Sequence, residues 1–127
     1  MILIVEDEPL IAMAYRLVAM ECGLQVSQSA EDSVTALRLA RANPPAIAII
    51  DLRLADGPTG DRLALTLHAE LGVVPLFVTG TPDLLSDAAK SIAAAVLVKP
   101  VSHERLSRVL LATAQCLADR RVEEAVA

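Results

Sequence analysis

The sequence is poor in the residues that usually carry redox, zinc or aromatic chemistry. Its 127 residues include two cysteines, two histidines, one tyrosine, one phenylalanine and no tryptophan. Because Cys22 and Cys116 are too few for a disulfide framework and lack metal-ligand spacing, we interpret them as small buried or half-buried thiols in a reducing compartment. His68 and His103 have no acidic or thiol partner at ligand spacing, and we interpret both as ordinary surface or half-buried residues.

Long apolar runs and blocks of positive charge are also absent from the sequence. No run approaches the roughly eighteen apolar residues of a membrane span, so we expect no membrane partner. Met1 is followed directly by a strand-like run without a basic region, which argues against a secretory signal and for a cytoplasmic location. The net charge of −5, without a basic block, argues against a direct nucleic-acid partner.

Aliphatic side chains dominate the composition. Short apolar runs alternate along the chain with segments in which apolar residues recur at helical spacing. The hydrophobic fraction is 54%, enough for 127 residues to bury the core of one domain. Apolar runs predict five strands, over residues 2–5, 24–28, 46–50, 76–79 and 95–98. Helices are predicted after them, beginning near Pro9, Ser29 or Asp32, Leu63, Asp83 and Ser102. This alternation predicts an α/β fold with a doubly wound parallel sheet between two layers of helices.

Two segments of this domain are predicted to be weakly held. We expect the domain to cover residues 1–121, followed by a frayed tail at 122–127. The strand at 24–28 is polar at alternate positions, as an edge strand would be. The helix at 83–91 is short and has few apolar side chains, so we expect it to be mobile.

Polar side chains follow four of the predicted strands at the point where each strand ends. These side chains are Glu6 and Asp7, Asp51, Thr79, and Lys99. The run from Ala46 to Ile50 is apolar without interruption and leads directly into Asp51, which is typical of a strand buried on both faces. Because the carboxyl ends of parallel strands meet at one edge of a sheet, we expect three acids, a hydroxyl and an amine to converge there.

This combination of groups fits phosphoryl transfer. Three close carboxylates repel one another unless a cation neutralises them, and Mg²⁺ prefers such oxygen ligands. Lys99 adds a compact positive charge that can reach Asp51 or an oxyanion beside it, and Thr79 adds a hydroxyl donor. Phosphoryl transfer uses such groups: a carboxylate as acceptor, a metal and an amine that bind the phosphoryl oxygens, and a hydroxyl donor. The nearby Asp56-Gly57 pair is more typical of a turn than of catalysis.

The chain resembles a response-regulator receiver domain over nearly its whole length. The matching motifs are Val5-Glu6-Asp7-Glu8-Pro9, Ile50-Asp51-Leu52-Arg53-Leu54 with Asp56-Gly57 and Gly60, Val78-Thr79-Gly80, and Val98-Lys99-Pro100. The resemblance implies a flavodoxin-like three-layer sandwich with strand order 2-1-3-4-5 and a cis Lys99–Pro100 bond. The run Phe77–Gly80 also resembles the Phe-Ala-Thr-Gly motif of single-domain regulators in stress signalling.

The resemblance further implies a phosphoacceptor and a metal site. By this likeness Asp51 accepts a phosphoryl group from a phosphohistidine on a histidine kinase or a histidine phosphotransfer protein. Asp7, Asp51 and the backbone carbonyl of Arg53 would bind Mg²⁺ directly, and Glu6 would help through water. Glu6 departs from the aspartate that is common at its position, which only lengthens the reach.

Phosphoryl binding and its tuning are implied for four residues. Lys99 would contact the phosphoryl group, and Thr79 would move in to donate a hydrogen bond to it. Arg53 and Thr81 each lie two residues beyond a site residue, where we expect them to tune loss of the phosphoryl group by shielding or aligning water. Three residues before the lysine, the family usually has an aromatic residue whose side chain swings inward as the threonine moves. This chain has Val96 there, with one stiff torsion and little area to move. We therefore expect the 80–91 segment to report phosphorylation instead.

The function that we expect is that of a stand-alone receiver in a two-component phosphorelay. It would catalyse its own phosphorylation and dephosphorylation, without external substrates, and would control binding to a downstream protein target. A homodimer through the last helix and strand is a further expectation. One alternative is a phosphorylation-independent interaction module with the same fold. A metal-dependent phosphatase is another, but Leu52-Arg53 supplies no second carboxylate beside Asp51.

Overall fold

Four short parallel strands form the central sheet of the computed structural model, which describes residues 1–126. The strands are β1 (Ile2–Val5), β2 (Ile47–Ile50), β3 (Val74–Thr79) and β4 (Ala95–Val98), in the order β1-β2-β3-β4. Every residue of β1 and β2 is buried, in agreement with the uninterrupted apolar runs there. Val5 lies opposite Ile50, and Ile50 opposite Phe77, so the carboxyl ends of these strands meet at one edge.

Within residues 1–126, five helices accompany the strands. They are α1 (Pro9–Glu21), α2 (Ser33–Ala42), α3 (Gly60–Leu71), α4 (Asp87–Ile92) and α5 (His103–Val126). The Asp32 side chain accepts a hydrogen bond from the Thr35 amide at 2.7 Å and so caps α2. Gly72 ends α3 with a left-handed φ of 69°. Ser102 caps α5, since its hydroxyl accepts from the Arg105 amide at 3.1 Å.

The helices cover both faces of the sheet and divide the core into two halves. On one face, α1 and α5 pack on alternate strand residues such as Ile4 and Ile49. On the other face, α2, α3 and α4 pack on the intervening residues such as Val5 and Ile50. This pattern is that of a parallel sheet buried on both sides, and the three-layer α/β fold predicted from the sequence is confirmed.

The predicted strand at 24–28 does not form a regular strand. This segment runs along the outer edge of β1 and is joined to it by isolated parallel bridges, Ile2 with Val26 and Val5 with Ala30. The place agrees with the expected order 2-1-3-4-5, in which this segment counts as strand 2. Because Gln25 is exposed and Val26 only half-buried, packing holds the segment less firmly than the buried strands. The fifth strand is therefore not confirmed.

The predicted helix at 83–91 also differs from the structure, which breaks it into two pieces. A single 3₁₀ turn covers Pro82–Leu84, and α4 begins only at Asp87. Ser86 separates them: its hydroxyl accepts a hydrogen bond from the Ala89 amide at 3.1 Å, which caps α4. The local preference of serine for a helix start thus places the break.

α5 continues past the predicted domain end at residue 121 and runs through Val126. Ala127 lies outside the described residues, and fraying of the tail in solution stays a prediction. Cys22 is half-buried as expected, but Cys116 is exposed. The α5 side chains near it that pack on the core are Ala114 and Leu117, which leaves Cys116 facing outward. No helix in the described part of the chain is apolar over a length sufficient to cross a membrane.

Candidate functional site

The carboxylates of Glu6, Asp7 and Asp51 meet at the carboxyl edge of the sheet. Glu6 and Asp7 follow β1, Asp51 follows β2, and the two strands are direct neighbours. Each acid offers one oxygen such that these oxygens all lie within 4.8 Å of one another. Glu6 is 2% exposed and Asp51 8% exposed, whereas Asp7 is more open to solvent. This spacing suits oxygen ligands around one hard divalent cation.

The Lys99 ammonium lies between two of these acids. Its Nζ is 2.6 Å from Oε1 of Glu6 and 2.7 Å from Oδ2 of Asp51. The other oxygen of Asp51 accepts a hydrogen bond from the Leu52 amide at 2.7 Å. Lys99 reaches Asp51 as the sequence predicts, while its equally short contact with Glu6 was not expected. The Lys99–Pro100 peptide bond is cis, which confirms that prediction.

Burial and hydrogen bonding act in opposite directions on the two partners of this ion pair. Burial raises the pKa of Glu6 above its ordinary value, although hydrogen bonds from Lys99 and the Glu8 amide oppose the rise. Burial lowers the pKa of Lys99, but hydrogen bonds to Asp51 and Glu6 outweigh it, so the net pKa is raised. Lys99 therefore stays charged and offsets part of the negative charge of the acids.

Thr79 lies at the end of β3, at the same edge, and is fully buried. Its hydroxyl oxygen accepts a hydrogen bond from the Thr81 amide at 3.0 Å and lies 3.2 Å from the Thr81 hydroxyl. In the described residues, the hydrogen bonds of the Thr79 side chain thus run to Thr81. The expected hydroxyl donor is present at the site edge, and Thr81 is the residue that it contacts.

A loop follows Asp51 at residues 52–59, as predicted, and the chain returns to the backbone of Asp51 and Leu52 at Gly60. Gly60, at its end, lies so close to the strand that a Cβ atom there would be 2.0 Å from the Asp51 carbonyl oxygen. Only glycine fits this position, which holds the start of α3 against the backbone of Asp51. Arg53 is exposed on this loop. Asp56 accepts hydrogen bonds from the Ser33 amide at 3.2 Å and the Thr59 hydroxyl at 2.6 Å, in keeping with a turn role.

A contact that the sequence did not indicate joins α3 to the start of α4. One carboxylate oxygen of Asp61 accepts a hydrogen bond from the Ser86 amide at 2.6 Å, and the other accepts from the Ser86 hydroxyl at 3.0 Å. The two residues are 25 positions apart, and Asp61 alone resembles an ordinary acid in the first turn of a helix. Asp61 follows Gly60 directly, so this contact ties the Asp51 loop to the 80–91 segment.

The two histidines lie on the surface, outside the cluster of Glu6, Asp7 and Asp51. Both His68 and His103 are exposed. A ring nitrogen of His68 lies 3.1 Å from the Val73 carbonyl oxygen, at the end of α3. His103 lies 2.8 Å from a carboxylate oxygen of Glu21, an acid that is distant in sequence but adjacent across α1 and α5. Neither arrangement gives the histidines a ligand set, in agreement with the interpretation from the sequence.

The sequence matches the model of the response regulator receiver domain over residues 2–111. The chain belongs to this family, and the resemblance inferred from its motifs is confirmed. It is similar to the phyllosphere-induced regulator PhyR of Methylorubrum extorquens, with 30% identity over 110 residues. That match covers 86% of this chain and 41% of the relative, so the chain spans less than half of that protein.

Solved structures of PhyR proteins share the fold. The receiver domain of PhyR from Erythrobacter litoralis superposes with a TM-score of 0.80 at 23% identity, covering 88% of this chain and 87% of that one. PhyR from Bartonella quintana, described as an anti-anti-sigma factor, gives a TM-score of 0.79 at 23% identity. Here the match covers 94% of this chain and 49% of the other. The arrangement of sheet and helices is therefore that of known receiver domains.

Proposed function

We propose that this receiver domain accepts a phosphoryl group on Asp51 from a phosphohistidine of a histidine kinase or a histidine phosphotransfer protein. The observation that carries the proposal is the position of Asp51 at the end of β2, with one carboxylate oxygen 2.7 Å from the Lys99 ammonium. Phosphorylation then changes how the domain binds a downstream protein, or the domain takes up phosphoryl groups as a sink in a relay.

The proposed transfer is a displacement at phosphorus. A carboxylate oxygen of Asp51 forms an O–P bond while the N–P bond of the phosphohistidine breaks, and the imidazole leaves with that electron pair. Lys99 offsets the charge of the phosphoryl oxygens, and Thr79 turns to donate its hydroxyl hydrogen to one of them. Hydrolysis of the O–P bond by water restores the carboxylate. The protein thus acts on itself rather than on an external substrate.

Mg²⁺ is the metal that we propose for the acidic cluster. Asp7 and Asp51 would hold it directly together with the backbone carbonyl of Arg53, and Glu6 would help through water. The close carboxylate oxygens support this, because three acids face the single positive charge of Lys99 and all the donors are oxygen. When bound, the ion neutralises charge on the carboxylates and on the phosphoryl oxygens.

Incubation with a small phosphodonor such as acetyl phosphate tests the proposed function. We expect the intact mass to increase by one phosphoryl group in the presence of Mg²⁺, and the increase to disappear when EDTA removes the metal. A phosphorylated histidine phosphotransfer protein should give the same product faster. A protein that remains unmodified by both donors, while its fold is intact by circular dichroism, would contradict the proposal.

Arg53 is expected to protect the aspartyl phosphate from water. Its exposed side chain lies two residues beyond Asp51, on the loop that follows the acid. Arg53→Ala should therefore shorten the lifetime of the phosphorylated protein by a few-fold, measured by loss of label at constant Mg²⁺. Arg62→Ala, which removes an exposed arginine from α3, is the matched control. An unchanged lifetime in the Arg53 variant would exclude shielding.

A phosphorylation-independent interaction module is the second candidate function. It is favoured by a stripe of large exposed apolar side chains along α1: Leu10 at 80%, Met13 at 58%, Leu17 at 54% and Met20 at 57% exposure. Such stripes commonly mark protein contacts, and the Bartonella quintana relative is described as an anti-anti-sigma factor. Equal binding of a protein partner by the wild type and by an Asp51→Ala variant would support this candidate.

Homodimerisation through α5 and β4 is a further part of the proposal. Val98 on β4 is 53% exposed and Leu111 on α5 is 48% exposed, so both elements present apolar area to a second copy. Sedimentation with and without the phosphodonor measures this association directly. A cytoplasmic location stays a prediction.

A further inference from the structure

The hydrogen bonds of the Thr79 hydroxyl show how this side chain is held before phosphorylation. A hydroxyl has one hydrogen to donate and oxygen lone pairs with which to accept. The Thr79 oxygen accepts from the Thr81 amide at 3.0 Å, and the Thr81 hydroxyl lies 3.2 Å away. Because Thr79 is 0% exposed, water does not reach its hydroxyl. The Thr81 hydroxyl is thus the acceptor available to the Thr79 hydrogen among the contacts of the described residues.

We propose that Thr81 is a positioning residue, whose hydroxyl accepts the Thr79 hydrogen and so restrains Thr79 until a phosphoryl group on Asp51 competes for the same hydrogen. This inference rests on the proposed function, since it requires that Asp51 be phosphorylated. Thr79 can donate its hydrogen either to the Thr81 hydroxyl or to a phosphoryl oxygen, but not to both. The strength of the contact with Thr81 therefore sets how readily Thr79 changes position.

Two neighbouring residues make Thr81 the point of control. The family's usual aromatic residue is here Val96, which lies opposite Phe77 on β3, and its single stiff torsion gives it little ability to favour one Thr79 position over another. Gly80, between the two threonines, has no side chain and has open space where a Cβ atom would lie, so no side chain at this position restricts the movement. The hydroxyl contact between Thr79 and Thr81 is then the local restraint that the structure provides.

Removal of the Thr81 hydroxyl should destabilise the unphosphorylated state more than the phosphorylated state. In the unphosphorylated state, the buried Thr79 hydrogen loses its acceptor, which raises the free energy of that state. In the phosphorylated state, a phosphoryl oxygen accepts the hydrogen, so the loss of the Thr81 hydroxyl has little effect. Thr81→Val should therefore lower the melting temperature of the free protein and, at the same time, increase its affinity for a phosphoryl mimic.

The test is a titration of Thr81→Val with beryllofluoride and Mg²⁺, followed by the amide NMR signal of Gly80. We expect the dissociation constant to fall about tenfold relative to the wild type, equivalent to about 1.4 kcal/mol. Thr81→Ser, which retains the hydroxyl, should restore the wild-type constant and melting temperature. Thr113→Val is the matched control, because its hydroxyl donates to the Val109 carbonyl within α5 and should leave the affinity unchanged.

The double variant Thr79→Val with Thr81→Val separates positioning from a general structural effect. Without the Thr79 hydroxyl there is no hydrogen to retain, so the second substitution should give no gain in affinity. Thr81→Val with unchanged or weakened affinity overturns the inference. A changed phosphoryl lifetime without changed affinity overturns it also, because Thr81 would then act on water access. If the wild type itself binds no mimic through Asp51, the proposed function fails together with the inference.

Discussion

Asp51→Ala should take up no phosphoryl group from a small phosphodonor, whereas the wild type should gain one in the presence of Mg²⁺. Asp51 is the acid that combines a strand-end position, an oxygen 2.7 Å from Lys99 and neighbouring carboxylates for a metal. Glu6 is slightly closer to Lys99, at 2.6 Å, but it is only 2% exposed, against 8% for Asp51, so an incoming phosphohistidine has less access to it. Intact-mass spectrometry followed by peptide mapping measures the loss directly.

The variant should remain folded, which makes the result interpretable. In Asp51→Ala, Lys99 retains its contact with Glu6 at 2.6 Å, so the half-buried ammonium is still paired. Asp56→Ala is the control for a lost loop carboxylate, because Asp56 bonds to Ser33 and Thr59 rather than to the acidic cluster. It should still be phosphorylated. Label on Asp51→Ala at wild-type yield and lifetime would show that another residue is the phosphoacceptor.

The convergence of the acids and the lysine could be predicted from the sequence because it depends on topology alone. Glu6, Asp51, Thr79 and Lys99 each follow an apolar run, and parallel strands bring such positions to one edge regardless of the details of packing. The burial of β1 and β2 was equally predictable, since uninterrupted apolar runs are stable only when both faces are covered. The alternation of strands and helices likewise predicted helices on both faces of the sheet, whereas the order of the strands came from the resemblance to receiver domains.

The hydrogen bonds within the site could not be predicted, because they depend on the final distances between side chains. Lys99 bonds to Glu6 as well as to Asp51, and the sequence does not distinguish one acid from two. The bond between Asp61 and Ser86 joins residues that have no shared motif. The edge segment at 24–28 failed as a regular strand for a related reason: with polar residues at alternate positions, small differences in packing decide its regularity.

The 80–91 segment is expected to change most on phosphorylation, because few interactions hold it. Of its side chains, Leu85 and Ala89 are buried, whereas Leu84 is 44% exposed. α4 has only six residues, too short to be stable without packing. The two hydrogen bonds from Ser86 to Asp61 form a clamp that adds to the packing of Leu85 and Ala89 in fixing this segment. Two arrangements that are close in energy can be exchanged by a small force at one end, and Thr79 lies at that end.

Amide hydrogen exchange with and without beryllofluoride should show this change as altered protection over residues 80–91. The Thr81 amide donates a hydrogen bond to the Thr79 hydroxyl in the unphosphorylated protein. The hydrogen of this amide should therefore exchange faster once Thr79 turns from Thr81 towards the phosphoryl group. We expect rate changes of about tenfold or more in this segment, since a tenfold change corresponds to about 1.4 kcal/mol of local stability. Protection changes confined to the loop at 52–59, with 80–91 unaltered, would show that the signal leaves by another route.

Removal of the clamp distinguishes a switching segment from one that is merely loose. Asp61→Ala keeps the Ser86 cap of α4 but removes both bonds from Ser86 to α3, so residues 86–91 should exchange faster before any mimic is added. The further change on addition of beryllofluoride should then be smaller than in the wild type. Asp56→Ala removes similar carboxylate contacts, to Ser33 and Thr59, and should alter exchange at the start of α2 and in the loop at 52–59 but not in residues 86–91. Val96 has little area to rearrange, so the response is measured in residues 80–91. An Asp61→Ala protein with a wild-type response to beryllofluoride would mean that the clamp does not restrain this segment.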